Sequence, residues 1–394
     1  MTRAVVVIDG EHYAPVVRDA IACLPYDVVG AWLAGGTEKL RGDADYGVPL
    51  LDALEDGFGD ADVVVDMSDE PVLGPRERFL LASRTLAAGL RYEGADFRFE
   101  PPQYAPYALP SIAVIGTGKR VGKTAVTGHV ARLLSRDREV VVVAMGRGGP
   151  ATPEVAAVQP TLASLLDLSR AGHHAASDYL ETAALTGVVT IGCRRAGGGL
   201  AGAVLTSNVL EGAALAAERE PDVVVFDGSG AAIPPVETGA RILVSGTGHD
   251  PLAYLNPYRV LVSDVVVLVG GGDAAAIRAL KKVRVLEADL RLRPVSPLRG
   301  RRVAVFTTGP AVTDALGADV VSVSRNLANR SALSDDLARA DAEVYLVEIK
   351  AAAIDLVAEA ALKRGAEVVF AENEVVCPGL DEAILALVPE RAHA

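Results

Sequence analysis

Cysteine is scarce in this chain. Cys23, Cys193 and Cys377 are odd in number and far apart in 394 residues, which excludes a disulfide framework or a paired-cysteine metal site and points to ordinary reduced thiols. Long apolar runs are also missing. The Val-rich segments, such as Val140 to Ala144 and Val265 to Val269, fall far below the roughly 18 or more residues that a membrane span needs. The apolar run Ala4 to Ile8 comes almost at once, with no basic, apolar and small-residue succession of the secretory type, so the cytoplasm is the expected location. Basic excess is absent as well: 38 Lys and Arg against 51 Asp and Glu leave a net charge of −13. That balance argues against a nucleic-acid partner, which needs clustered excess cations. A small anion is still compatible, because a few local cations and backbone N–H groups suffice to hold one.

What the chain has in quantity is apolar content, 50% against 23% charged, which suits a globular protein of two or three domains. The first hundred residues alternate strand-like runs, Ala4 to Ile8, Val28 to Leu33 and Val63 to Val65, with helical stretches. The segment 97–110, FRFEPPQYAPYALP, then carries four prolines and predicts a boundary with no regular element. From Ser111 the pattern is strand, glycine-rich turn, helix, repeated, with strands expected at Ile112 to Ile115, Val140 to Met145, Val188 to Ile191, Val223 to Phe226, Ile242 to Val244 and Val265 to Val269. Unalternated branched runs suit strands covered on both faces. The expectation is an α/β fold with a doubly wound, mostly parallel sheet and ligands gathered at the strands' carboxyl ends. A further α/β stretch follows, with strands at Val303 to Phe306, Val320 to Val323, Val344 to Ile349 and Val368 to Phe370. The expected domains are 1–100, 111–295 and 296–394.

The sharpest local signal is Gly116-Thr-Gly-Lys-Arg-Val-Gly-Lys-Thr124, between an apolar strand and the helical stretch Ala125 to Leu134, the context a P-loop requires. Glycines let the main chain approach phosphate oxygens, and the helix start offers free N–H groups. Lys123 neutralises phosphate charge, and Thr124 can ligate magnesium. The expected nucleotide-binding residues are Gly116, Gly118, Lys119, Arg120, Val121, Gly122, Lys123, Thr124 and Ala125. The loop departs from G-x-x-x-x-G-K-[ST] at Thr117, and dethiobiotin synthetases carry a similar G-T-x-x-x-V-G-K-T. The apolar run Val223 to Phe226 delivers Asp227 to a strand's carboxyl end, where it can serve the metal with Thr124; a strand-end Asp starting a turn is the other reading.

Arginine and glycine crowd two other expected strand ends, Gly146-Arg147-Gly148-Gly149 and Cys193-Arg194-Arg195-Ala196-Gly197-Gly198-Gly199. Arg147, Arg194 and Arg195 can present planar forks to phosphate or carboxylate oxygens, or can be solvated turn residues. Lys350, ahead of Arg325 and Arg330, is a further candidate cation. Asp9, Glu11 and His12 follow the first strand and can meet a ligand or act as acid or base, while a turn explains Asp9 equally well. The pair His173 and His174 lacks companion metal ligands and reads as a surface loop. Ser229 lacks a nucleophile-elbow context.

Taken in order, VVVIDGEHY, SDEPVLGPRERFLLASRTLAAGL, YEGADFRFEPP, GTGKRVGKTAV, AMGRGGP, GCRRAGGGLAG, DGSGAAIPPVETGA and IKAAAID resemble the cyclic 2,3-diphosphoglycerate synthetases across nearly the whole chain. The resemblance implies an ATP-dependent ring closure of 2,3-diphosphoglycerate that releases ADP and phosphate. It also implies magnesium dependence, stimulation by potassium and a homodimer. Lys123, Asp227, Arg147, Arg194, Arg195 and Lys350 would then carry catalysis. Two other classes share the loop: carboxylate-activating synthetases of the dethiobiotin or cobyrinate type, and regulatory ATPases. The latter commonly carry a lysine five residues before the invariant one, where Gly118 stands here.

Overall fold

Branched side chains in succession favour strands buried on both faces. In the computed structural model of the chain, which describes residues 1–37, 45–172, 177–308, 313–349 and 353–388, the valine runs form the centres of two sheets. The first contains β1 (Arg3–Ile8), β2 (Asp27–Leu33), β3 (Leu50–Leu51), β4 (Val63–Asp66), β5 (Arg91–Glu93) and β6 (Arg98–Phe99), with α1 (Ala14–Cys23) and α2 (Pro75–Ala87) among them. Its order is β3-β2-β1-β4-β5-β6, parallel except for the last pair. The proline-rich segment 97–110 does hold one short element, β6. It then lies along the rest of the chain: Ala105 bridges to Val236, and the Tyr104 hydroxyl meets that of Tyr258 at 2.9 Å.

The second sheet runs through the remainder. Its first part holds β7 (Ser111–Gly116), α3 (Lys123–Leu134), β8 (Val140–Gly146), β9 (Glu154–Ala156), α4 (Leu162–Arg170), α5 (Asp178–Thr186), β10 (Val189–Ala196) and β11 (Thr206–Ser207). The chain continues through α6 (Val209–Ala217), β12 (Val223–Asp227), β13 (Ala240–Gly246), α7 (Asn256–Leu261), β14 (Val265–Val269), α8 (Ala274–Leu280) and β15 (Arg284–Pro294). The last part is β16 (Arg302–Phe306), β17 (Asp319–Ser324), α9 (Arg330–Arg339), β18 (Val344–Glu348), α10 (Ile354–Arg364), β19 (Glu367–Val376) and α11 (Leu380–Leu385). The order is β11-β10-β8-β12-β7-β13-β14-β15-β19-β18-β16-β17, with β9 also on β10. β7 lies between β12 and β13, parallel to both. The chain reverses its direction of travel across the sheet around β7, and such a reversal opens a crevice at the strands' carboxyl ends.

Sequence reading left open whether the third stretch extends this sheet, and β15 answers it. Its first half, Arg284 to Ala288, pairs in parallel with β14, and its second half, Asp289 to Pro294, pairs antiparallel with β19. A single long strand therefore belongs to both parts. A second difference concerns Arg194 and Arg195, expected in a loop after Val188 to Ile191. They lie inside β10, because β11 folds back to pair with Arg195 and Ala196 and prolongs the strand.

The C-terminal part also holds the helix that follows the P-loop. Glu372 of β19 is 4% exposed; its Oε2 accepts from Arg132 of α3 at 2.8 Å, and its Oε1 accepts from Arg293 Nε of β15 at 2.6 Å. His129 of α3 meets Asp381 of α11 at 2.6 Å. A buried carboxylate shared by two guanidiniums is costly to break, because each partner is left desolvated without a counter-charge. Glu372→Gln should lower unfolding free energy by on the order of 3 kcal/mol. The exposed pair Arg301 and Glu367 should contribute less than about 1 kcal/mol when Arg301 is replaced by Ala. Urea unfolding of the two variants checks the contrast.

Candidate active site

The P-loop lies where its motif predicts, at the carboxyl end of β7 and the start of α3. Gly122 closes the loop with φ of 91°, a left-handed conformation that a side chain would strain, and this turn aims the first N–H groups of α3 back at the loop. Lys123 Nζ donates to Asp227 Oδ1 at 2.9 Å, and Thr127, one helical turn on, donates its hydroxyl to the same oxygen at 2.9 Å. Asp227 is 1% exposed and Lys123 side chain 10%. A carboxylate buried this deeply needs such donors to offset its desolvation. Thr124 is half-buried beside Lys123. Lys119 and Arg120 are exposed at the loop's rim, whereas Val121 is buried and anchors it.

The carboxyl end of β13 and the loop that follows it form the opposite side of the P-loop. The Thr117 hydroxyl donates to Ser245 Oγ at 3.1 Å, and its N–H to the Val244 carbonyl at 3.1 Å. A Cβ on Gly246 would stand 2.8 Å from Val121 Cα, so only glycine lets the two main chains approach this closely. His249 lays its imidazole over Gly118, where an added Cβ would be 2.3 Å from the ring. Position 118 is where the regulatory class has a lysine, and here another loop covers it.

Three basic side chains converge on one point beyond β12. A Cβ built on Gly230 would lie 2.8 Å from Arg147 Nη2, 3.6 Å from Arg195 Nη2 and 3.7 Å from Lys119 Cγ. Arg195 is held by the carbonyls of Gly197 at 2.8 Å and Ser229 at 2.7 Å. Burial lowers its pKa from the ordinary guanidinium value, and the neighbouring positive Arg147 lowers it further, against a smaller pull from Asp178. Among the described residues, neither arginine makes a salt bridge to a carboxylate. Both line an open cleft of about 480 Å³ with Gly197, Gly198, Gly199, Ala231 and Ala232.

Arg194 does not join them. Successive strand residues face opposite sides: Gly192 faces Tyr179 of α5 and Cys193 faces Gly212 of α6, so Arg194 shares the α5 side and Arg195 the α6 side. Arg194 is exposed, with its N–H held by Asn208 Oδ1 at 2.6 Å. Lys350, His173 and His174 lie outside the described residues. Arg330 sits at the start of α9, paired with Asp355 at 3.0 Å, and Arg325 lies in the turn before it. In the first sheet, Asp9 Oδ1 accepts the N–H groups of Glu11 and His12 and contacts His12 Nδ1, while Oδ2 accepts the N–H of Asp69. Burial would raise its pKa, but these donors hold it below the ordinary carboxylate value. They are the contacts of a carboxylate that holds its own turn and ties it to the loop after β4.

Sequence reading missed Thr127, Gly246 and His249. Thr127 was accessible, since position 127 shares a helix face with 123. The other two depend on how separate loops meet.

Strand, P-loop, helix and strand-end carboxylate on a mostly parallel sheet define a P-loop NTPase-type enzyme domain. The comparisons make this specific. The sequence matches the P-loop domain of cyclic 2,3-diphosphoglycerate synthetase over residues 111–290, the N-terminal domain of that synthetase over 3–100 and its C-terminal domain over 294–374. Proteins named cyclic 2,3-diphosphoglycerate synthetase are similar along almost their full length. That of Rubrobacter xylanophilus is 46% identical, covering 98% of this chain and 97% of that one. That of Thermococcus kodakarensis is 40% identical over 94% of each, and that of Methanothermus fervidus 37% identical over 98% and 96%. The chain belongs to the cyclic 2,3-diphosphoglycerate synthetase family.

The packing at Gly246 and Gly118 separates two kinds of collision. Gly246→Ala meets main chain, so the P-loop must shift, and the KM for ATP should rise by about tenfold or more. Gly118→Ala meets only the mobile end of His249, which can swing away, and should change the KM for ATP by less than about threefold. Steady-state kinetics with varied ATP, alongside thermal melting to confirm folding, tests the order.

Proposed function

We propose that this chain uses ATP to close the two phosphates of 2,3-diphosphoglycerate into a cyclic phosphoanhydride, releasing ADP and phosphate. The observation that carries this reading is the convergence of Arg147, Arg195 and Lys119 on Gly230. Two guanidiniums without carboxylate partners among the described residues, beside a P-loop side chain, suit a multiply charged anion placed next to the phosphate to be transferred. A carboxylate substrate would call for less positive charge.

The chemistry needs one phosphate oxygen turned into a leaving group. An oxygen of one substrate phosphate bonds to the γ-phosphorus of ATP, and the bond from that phosphorus to the ADP oxygen breaks. An oxygen of the second substrate phosphate then attacks the first substrate phosphorus and expels inorganic phosphate, which closes the ring. Lys123 leaves Asp227 to balance charge on the transferring group, and main-chain N–H groups of the loop orient it. Arg147 and Arg195 hold the two substrate phosphates close against their mutual repulsion, so positioning and charge neutralisation account for catalysis without a protein nucleophile.

The Thr124 hydroxyl and the Asp227 carboxylate are hard oxygen donors of the kind magnesium takes, and they flank the P-loop lysine. When bound there, the metal would neutralise charge on the phosphates. Magnesium, stimulation by potassium and a homodimer belong to the same proposal, on the strength of the family likeness.

Phosphorus NMR of the purified protein with ATP, magnesium, potassium and 2,3-diphosphoglycerate tests it directly. The expected result is a new pair of coupled phosphoanhydride resonances that Lys123→Ala abolishes, with Arg147→Ala and Arg195→Ala each reducing the rate by on the order of 10²-fold. ATP consumption without the cyclic product would overturn the ring-closure reading.

A further inference from the structure

Arg259 is among the largest fully buried side chains, at 1% exposure, and lies on α7, outside the cleft itself. Its partners are mostly main-chain carbonyls. Nε and Nη2 donate to Ala231 at 2.9 and 2.6 Å, while Nη1 donates to Leu200 at 2.9 Å, to Leu255 at 3.3 Å and to Asn256 Oδ1 at 3.1 Å. No carboxylate pairs with it among the described residues, and burial pushes its pKa down to about 10, so the group remains a cation at neutral pH. Burying a cation without a counter-ion is expensive, and a hydrogen-bond hub alone does not require charge. Its placement offers a reason. Leu200 ends the glycine run Gly197 to Gly199, and Ala231 belongs to the loop after Asp227; these two segments are the walls of the arginine-lined cleft.

The same two walls are bridged a second time from the open side, where Arg195 joins the carbonyls of Gly197 and Ser229. The Ile233 N–H donates to Gly202 at 2.8 Å and closes the base. Glycine-rich main chain has little stiffness of its own, so the spacing of the walls depends on these ties. We infer that Arg259 is a positioning residue that holds the 197–202 and 229–233 segments at the separation at which Arg147 and Arg195 grasp one bisphosphate. This rests on the proposed substrate reading. Lysine cannot replace it, because a single ammonium lacks the planar fork that reaches Leu200 and Ala231 together.

The test uses full-length Arg259→Lys and Arg259→Met, with Arg259→Ala for rescue by free guanidinium. The expected outcome is a kcat/KM for 2,3-diphosphoglycerate lowered by on the order of 10²-fold in each variant, carried mainly by KM. The dissociation constant for ATP alone should stay within about twofold, and guanidinium should partly restore Arg259→Ala. Hydrogen exchange without substrate should quicken in 197–202 and 229–233 together and be unchanged in 123–134. Unchanged exchange in both walls, or equal losses of affinity for ATP and bisphosphate, would overturn the inference. If wild type binds no 2,3-diphosphoglycerate while Arg259→Met still frees both walls together, the ring-closure reading fails and the clamp stands.

Discussion

The ion pair of Lys123 and Asp227 is the interaction on which the site is built. Asp227 ends β12 and Lys123 begins α3, so the pair fastens the P-loop helix to the neighbouring strand at the point where nucleotide phosphates would arrive. Thr127 donates to the same carboxylate oxygen, so the carboxylate would keep a hydrogen-bond donor if Lys123 turned to a phosphate. Without that second donor the move would strand a desolvated anion, at a cost of several kcal/mol. The threonine one turn along the helix would leave the lysine free to move to a phosphate.

Around this pair the structure is tied rather than merely packed. The P-loop is pressed against the carboxyl end of β13 through Gly246, and α3 is held from its far end by Glu372 and Asp381 of the C-terminal part. β15 makes that grip possible, because it is hydrogen-bonded to β14 along one half and to β19 along the other. The C-terminal part therefore braces the nucleotide helix without supplying β7 or the loop. On the other face, α2 of the first sheet packs beside α7, with Phe79 edge-on to Tyr254. The helix that carries Arg259 is thus also where the N-terminal part rests.

Much of this was readable from residue order. The valine runs marked most of the long strands, since branched side chains in unbroken succession suit strands with both faces covered; the P-loop was legible because its chemistry requires fixed spacing, and Asp227 because an apolar run ends at it. β15 escaped because RVLEADLRLRP alternates, with charged residues between apolar ones, and so lacks the run that marked the others. Arg194 and Arg195 looked equivalent in sequence. The parity of β10 separates them, and parity depends on where a strand ends, which β11 decides by pairing with it. Arg259 carried no signal at all: an arginine in NPYRVL reads as a surface residue, and only the meeting of two distant loops makes it a buried one.

The overall charge sharpens the meaning of the arginine cluster. A chain of −13 repels ATP and a bisphosphate alike at long range, so steering by the whole-molecule field cannot bring the two polyanions together. At physiological salt that field fades over about 8 Å, and within this distance only the local groups act. Burial first, and then the like charge of Arg147, hold the Arg195 pKa down, and main-chain carbonyls accept the hydrogen bonds that keep Arg195 in place. Carbonyls fix a guanidinium without neutralising it. The positive potential is therefore preserved, and an anion bound between the two arginines would relieve their repulsion.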